Sequence, residues 1–296
     1  MNTLIFLGLM LVGTLVLGIN DVQKKKFLLD GINDQLLLGF SWFLGGLFLF
    51  LVVAAVGIPQ IRDGFWTALA ATMFLNVISQ IVFIRAFKLA DASLIAPLRL
   101  ITPPFVIITG FIVLGEVPTA GGVAGIFLTV FGLMTLLSPG KHFSISAMKS
   151  YIMSERGVQL GLLGSFLFAL SFPYDKQTVL ASSGIFATAM RMSSVGILVL
   201  GLNAALNRRF LREAIPAVKQ WSMPLLSVSA VSAVGDFLTT QALAYSLAAY
   251  AASLKRLWPF WTIFLAGRFL KEKHITQRLA ATAVMFIGII IMVVLG

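Results

Sequence analysis

The chain has 296 residues, 59% of them hydrophobic and only 11% charged, with 22 Lys and Arg against 11 Asp and Glu for a formal net charge of +11. Soluble domains are roughly 45–50% apolar and about 25% charged, so this composition excludes an ordinary cytosolic enzyme, whose surface so few charges could not cover. The lack of cysteine excludes a disulfide framework or a thiolate metal site. The cations are spread over short polar breaks, which excludes a nucleic-acid-binding domain.

A helix needs about 20 apolar residues to cross a bilayer. Ten such runs are predicted, at about 3–23, 36–56, 65–87, 92–114, 120–138, 158–180, 185–206, 222–245, 249–267 and 277–295. The first run has no basic stretch before it and leads directly into further runs, so it reads as a span and not as a cleaved signal peptide. The breaks carry turn chemistry at Gly57-Ile58-Pro59, Val117-Pro118 and Ser138-Pro139-Gly140. The longest polar segment, 139–157, holds Lys141, His142, Lys149, Glu155 and Arg156. Its Phe143, Met148 and Ile152 predict a short interfacial helix at the joint between two halves.

Charge sets the expected orientation. Sixteen of the 22 lysines and arginines fall on alternate breaks: Lys24 to Lys26; Arg85 and Lys88; Lys141, Lys149 and Arg156; Arg208, Arg209, Arg212 and Lys219; Arg268, Lys271, Lys273 and Arg278. Arg62 stands alone on the other side. The positive-inside rule puts the loaded breaks in the cytoplasm, with both termini outside the inner (plasma) membrane.

The two halves repeat. At a shift of 156 residues Leu98-Arg99-Leu100-Ile101-Thr102-Pro103 lies over Leu254-Lys255-Arg256-Leu257-Trp258-Pro259, and Glu116, Ala86 and Ala92 fall on Glu272, Ala242 and Ala248. Asp21-Val22-Gln23 resembles Asp175-Lys176-Gln177 at a shift of 154. Five spans per half is an odd number, so the second half enters the membrane from the opposite side. The expected fold class is therefore an all-α integral membrane protein of ten transmembrane helices in two inverted five-helix repeats. The repeats are residues 1–140 and 158–296, joined by a connecting loop at 141–157.

The stretches Ala92–Gly132 and Ala248–Gly288 each hold a small-residue-rich span, a proline and a Gly-Glu or Lys-Glu turn, then a Gly-rich closing span. In this the chain resembles the EamA-type drug/metabolite transporter superfamily. The resemblance implies a bundle of two inverted halves, a central cavity and alternating access. Arg99 and Lys255-Arg256 stand where typical members have apolar or small polar residues, and so resemble the phosphate-translocator branch, where such cations hold phosphate. The charge-derived orientation is the reverse of the one usual in the superfamily.

Ionised groups within spans cost at least ~2.5–3.5 kcal/mol each at the bilayer centre, and persist where they face a cavity or a partner. Arg99 lies seven residues into its span and Lys255 about as far into the equivalent one. At the helical rise this is ~10 Å below opposite faces of the membrane, leaving the two cations about 10 Å apart across the midplane of a ~30 Å core. A small phosphorylated or carboxylated molecule could bridge them, Arg as a fork and Lys as a point charge. Arg256 points about 100° away from Lys255. The alternative is that Arg99 and Lys255 snorkel or are neutralised by Asp175 and Asp236. Arg191 lies mid-span and either binds or pairs with Asp236. Tyr174-Asp175-Lys176-Gln177 follows Pro173 as either a proton or salt-bridge switch or a helix end emerging into water. Asp21 reads as interfacial. Trp258 and Tyr250 are candidates for a cavity wall or an aromatic belt, and Gly121-x-x-x-Gly125 reads as close helix packing.

The substrate-binding candidates are thus Arg99, Lys255, Arg256, Arg191, Lys176, Gln177, Trp258 and Tyr174, with Asp175 and Asp236 as coupling or charge-pairing groups. The expected function is export or exchange of a small, anionic metabolite by secondary transport, with export of neutral or hydrophobic compounds as the alternative. His142 and His274 are isolated, which argues against an enzyme. Distinct cations in each half argue against a channel's repeated ring. No ATP-binding Gly-x4-Gly-Lys-Ser/Thr motif occurs. No cofactor or metal is expected. The expected partners are a small-molecule substrate, the lipid bilayer and a coupling proton or counter-substrate, with no nucleic acid.

Overall fold

In hydrocarbon every backbone N–H and C=O must bond internally, so so apolar a chain is held to helices or a closed barrel. The computed structural model describes residues 2–102, 105, 120–137, 145–242 and 255–295. Among them there are twelve α-helices and no strand: α1 Asn2–Leu29, α2 Asp34–Val56, α3 Phe65–Leu89, α4 Ala92–Leu98, α5 Ala120–Leu137, α6 Ile145–Ser154, α7 Arg156–Leu180, α8 Gly184–Leu206, α9 Arg208–Gln220, α10 Ser222–Gln241, α11 Trp258–Phe269 and α12 Ile275–Leu295. A 3₁₀ turn, Arg99–Ile101, continues α4. Six helices (α1, α2, α3, α5, α8 and α10) are long and apolar enough to cross a membrane, and shorter apolar stretches occur in α4, α7 and α12.

Local chemistry sets the ends. Gly31 takes φ +99° in the turn after α1, and Asn33 Oδ1 then accepts from the amides of Gln35 at 3.0 Å and Leu36 at 3.1 Å to open α2. Gly57 and Gly64, at φ +100° and +82°, bracket the turn between α2 and α3. Ser183 caps α8 through the amide of Phe186 at 3.3 Å.

Packing follows the repeat. α1 lies on α10 as α7 lies on α3, and α1 on α11 as α7 on α4, while α2 meets α8 and α5 meets α12. Exchanging the halves maps this set of pairs onto itself. The closest approaches obey the same exchange. A Cβ on Gly132 would come within 2.6 Å of Met285, and one on Gly288 within 2.5 Å of Thr129; the shift of 156 turns one contact into the other. Gly46 sits on the backbone of Ser193, and Gly196 on that of Phe43, so α2 and α8 meet without intervening side chains. Gly121 and Gly125 lie against α12 in the same way.

A short helix, α6, stands at the expected joint, although Phe143 and His142 lie outside the described residues. Residues 208–220, counted above as a basic break, instead form the helix α9. It buries Phe210 and packs Ala214, Ala217 and Val218 against the core. Lys24 and Lys25 also leave the loop count, because α1 continues to Leu29 and Lys25 is buried. Both stay at the same end of α1, so the charge bias keeps its sign.

Candidate functional site

The two positions singled out by the repeat are also where helix geometry fails. Pro97 lies inside α4 and supplies no backbone N–H. Two residues later, at Arg99, the chain tightens to 3₁₀ geometry. In the second half Lys255 is helical, Arg256 and Leu257 form a turn, and α11 begins afresh at Trp258 with Pro259 in its first turn. Residues 99–101 and 255–257 coincide at the shift of 156. Broken helices at equivalent places of two repeats are the arrangement by which secondary transporters expose helix ends to a ligand. Pro103, Glu116 and Tyr250, also named above, lie outside the described residues.

Ionised side chains gather at these breaks. Arg99 Nη1 donates to Asp21 Oδ2 at 2.7 Å, and Thr262 Oγ1 donates to the same oxygen at 3.1 Å. The Asp21 side chain is 2% exposed. Asp21 is therefore enclosed within the bundle, where α11 covers it. The Arg99 guanidinium is also enclosed by aromatic faces, 4.2 Å from the ring centre of Trp258, 4.7 Å from Phe83 and 5.1 Å from Phe87. Arg256 Nη1 reaches the Arg99 carbonyl at 3.5 Å.

The second half is built differently. Asp175 meets Arg191 Nη1 at 3.3 Å and accepts from the Thr72 hydroxyl, from Asn76 Nδ2 at 3.4 Å and from Ser171 Oγ at 3.4 Å. α7 runs on to Leu180, so Asp175 does not lie at a helix end in water. Lys255 Nζ lies 3.8 Å from Asp236. Asp236 is also within electrostatic range of Arg191 and of Lys24, and Lys24 of Asp21 and Arg99. Lys24, assigned above to a loop, was missed. Its signal was its spacing of three residues from Asp21, which puts both on one face of a helix.

Among the described side chains the cluster holds five cations (Lys24, Arg99, Arg191, Lys255, Arg256) and three carboxylates (Asp21, Asp175, Asp236). No carboxylate oxygen among the described residues lies within 4.0 Å of Lys24 or Arg256. The buried donors Arg191 Nε, Trp258 Nε1 and Trp261 Nε1 have no hydrogen-bond partner among the described residues. Tyr174 and Gln177 are exposed on α7, outside this group, and the Lys176 side chain is not among those described.

A second polar assembly ties the halves together at one end. Glu272 accepts from the amides of Ala92 at 2.9 Å and Ser93 at 3.0 Å and from the Ser93 hydroxyl, at the open N-terminus of α4. Arg278 joins Glu272 at 3.4 Å to Asp91 at 2.8 Å. Lys25 Nζ donates to the Phe87 and Ala90 carbonyls, each at 2.8 Å, at the C-terminal end of α3. The repeat marked Glu272 by its equivalence to Glu116, while Lys25 and Arg278 read only as loop cations.

No curated protein matches the chain. Fifteen solved chains resemble it. One, described only as the crystal structure of a protein, superposes with a TM-score of 0.61 at 14% identity and covers 97% of this chain and 96% of its own; at that identity the likeness speaks for the fold alone. The profile of the EamA-like transporter family matches residues 4–138 and again 155–294, one match per half. The two matches span nearly the whole sequence and coincide with the repeat seen in the packing, and the chain is therefore a multi-pass membrane protein that belongs to the EamA-like transporter family.

Proposed function

We propose that the protein is a secondary transporter that exports or exchanges a small anionic metabolite. Ten spans in two inverted repeats would carry it by alternating access through a cavity between the halves. One observation carries the reading: the cluster at the two helix breaks holds two more cations than carboxylates. An uncompensated charge among apolar helices is costly, and a bound anion removes that cost. The Arg256 guanidinium and the Lys24 ammonium have no carboxylate within 4.0 Å among the described residues, and the unpartnered buried atoms include three donors, Arg191 Nε and the indole N–H groups of Trp258 and Trp261, beside the acceptors Asn76 Oδ1 and Gln23 Oε1. Carboxylate and phosphate oxygens are acceptors, and forked guanidinium contacts suit both.

In this reading Arg256 and Lys24 contact the anion directly. Arg99, Lys255 and Arg191 set the surrounding potential, Trp258 forms a wall, and Tyr174, Lys176 and Gln177 meet the substrate on its path. Asp175 and Asp236 exchange partners or take up a coupling proton during the cycle. The likeness of Arg99 and Lys255-Arg256 to phosphate translocators supports phosphate esters beside carboxylates. The charge bias of the breaks supports both termini lying outside the inner membrane.

The test is thermal stabilisation of the purified protein by organic phosphates, dicarboxylates and matched neutral compounds, since a ligand stabilises the state it binds. Anions are expected to raise the melting temperature, with the shift lost in Arg256→Gln and Lys24→Gln. Equal stabilisation by neutral amino acids, with both variants unaltered, would remove the anion from the reading. A second reading, export of neutral or hydrophobic compounds, is favoured by the pairing of Arg99, Arg191 and Lys255 with carboxylates; that outcome would select it.

A further inference from the structure

Away from the charge cluster, α1, α2 and α10 leave an open apolar groove of about 610 Å³, lined by Phe27, Phe48, Met223, Leu226, Ser227 and Ala230. It contains no ionisable side chain. Its direction follows from the pairing of α1 and α10. Gly13 packs on Thr239, while Asn20 Nδ2 donates to the Val228 carbonyl at 3.0 Å and to Ser232 Oγ at 2.6 Å. The helices are thus antiparallel, and Phe27 comes level with Met223 at the start of α10. The groove therefore opens at that end of the bundle and runs inward along α10 to Ala230.

The mouth is basic. Lys26, next to Phe27, is exposed. Lys219 precedes Met223 by four residues, and Arg212 lies two turns earlier on the same face of α9; both are exposed. None of the three has a carboxylate partner within 4.0 Å among the described residues. α9 turns Phe210, Ala214, Ala217 and Val218 toward the bundle but leaves Ile215 76% exposed beside the basic row. A helix with an exposed apolar edge and a cationic row lies at the membrane surface with its cations among lipid phosphates.

We propose that this groove and its mouth form a binding site for an anionic diacyl phospholipid of the surrounding bilayer. One acyl chain lies along Phe27, Met223, Leu226 and Ala230, and the phosphate is held by Lys26 and Lys219, with Arg212 extending the basic row. Hydrocarbon lies along the open apolar groove while the negative headgroup meets cations that lack a carboxylate partner among the described residues. A second copy of the chain would match the groove but not the unpaired cations. The site shares no residue with the transport cluster, and the proposal stands or falls separately from the function proposed above.

The experiment offers delipidated full-length protein equimolar phosphatidylglycerol and phosphatidylcholine, and measures the retained lipid by native mass spectrometry. Phosphatidylglycerol should be retained about tenfold over phosphatidylcholine. The preference should fall to within about twofold in the double variant Lys26→Gln with Lys219→Gln, and persist in Arg268→Gln, which removes an exposed cation elsewhere. Ser227→Trp, which fills the groove, should lower retention of both lipids. Phosphatidylglycerol with brominated chains should quench Trp221, at the turn between α9 and α10, with Trp221→Phe as the reference. The changes at Lys26, Lys219, Arg268 and Ser227 should leave the melting temperature in detergent unaltered, and Trp221→Phe, whose ring packs against the core, serves only as the fluorescence reference. Equal retention of the two lipids by the natural protein, or an unchanged preference in the double lysine variant, overturns the proposal. So does a dimer, seen by light scattering, that Ser227→Trp dissociates with no change in lipid retention.

Discussion

The two halves carry equivalent charges but use them differently. In the first, Asp21 and Arg99 face each other at 2.7 Å, with the carboxylate 2% exposed and the guanidinium closed in by three aromatic rings. In the second, the equivalents of those residues, Asp175 and Lys255, do not pair. Asp175 takes Arg191 at 3.3 Å, and Lys255 takes Asp236 at 3.8 Å, with the lysine side chain 36% exposed. A short, covered pair resists separation because each member alone would be a buried charge. A longer pair with a partly exposed member is more screened and contributes less. The Asp21–Arg99 pair thus ties α1 to α4, and Lys255–Asp236 is the loosest of the three pairs. The two breaks also touch directly, since the Arg99 carbonyl accepts from Arg256 at 3.5 Å.

The largest effect is expected from breaking the lock. Asp21→Asn strands Arg99 and should cost ~3–5 kcal/mol, read as a large fall in melting temperature. Replacing the whole pair, Asp21→Leu with Arg99→Met, should recover most of that loss, because two apolar side chains need no partner. If the single variant melts like the natural protein, the contrast between the halves fails at its first point.

Next comes Arg256→Gln. Loss of one partner of a desolvated ionic contact costs ~2–5 kcal/mol, so affinity for an anionic ligand should drop about 30-fold or more. Melting of the empty protein should barely change, as no carboxylate is stranded. Isothermal titration and thermal unfolding of the same preparation separate the two effects, and a stability loss without an affinity loss would give Arg256 a purely structural role.

Glu272→Gln tests a tie between halves that lies outside the cluster. It removes the charge facing the α4 N-terminus and half of the support of Arg278, and should cost ~1–3 kcal/mol. The chain has no cysteine, so single cysteines at Ala90 and Lys273 can report access by their labelling rates. Both rates should rise in the variant if the tie holds that end shut, and unaltered rates would limit Glu272 to stability.

The smallest effect is expected at Lys255→Gln, under ~1 kcal/mol in stability because the pair is long and partly exposed. A loss comparable with that of Asp21→Asn would erase the asymmetry between the halves.

Much of the architecture was legible in the sequence because its causes are local or periodic. Runs of apolar residues dictate helices, Asn33 and Gly31 mark a boundary, and the match of Leu98–Pro103 to Leu254–Pro259 announces a repeat that reappears in the packing of Gly132 and Gly288. α9 was not legible as a helix, since its four cations drew attention to charge and its apolar residues to none of the long runs. Lys24 was hidden likewise, in a triplet that reads as a loop until α1 is seen to continue through it.

The choice of ionic partners lay beyond the sequence altogether. Composition alone determined that the chain lives in a membrane, because a chain with only 11% charged residues cannot cover its surface against water. Periodicity and the 156-residue shift determined where its helices run and which positions correspond. Which carboxylate answers which cation was decided only by tertiary packing. Asp21 and Arg99 are 78 residues apart and Asp21 and Thr262 are 241 apart, and ion pairing depends on a few ångströms of separation between helices that sequence spacing does not encode. The equivalent charges of the second half met different neighbours, and so made different bonds.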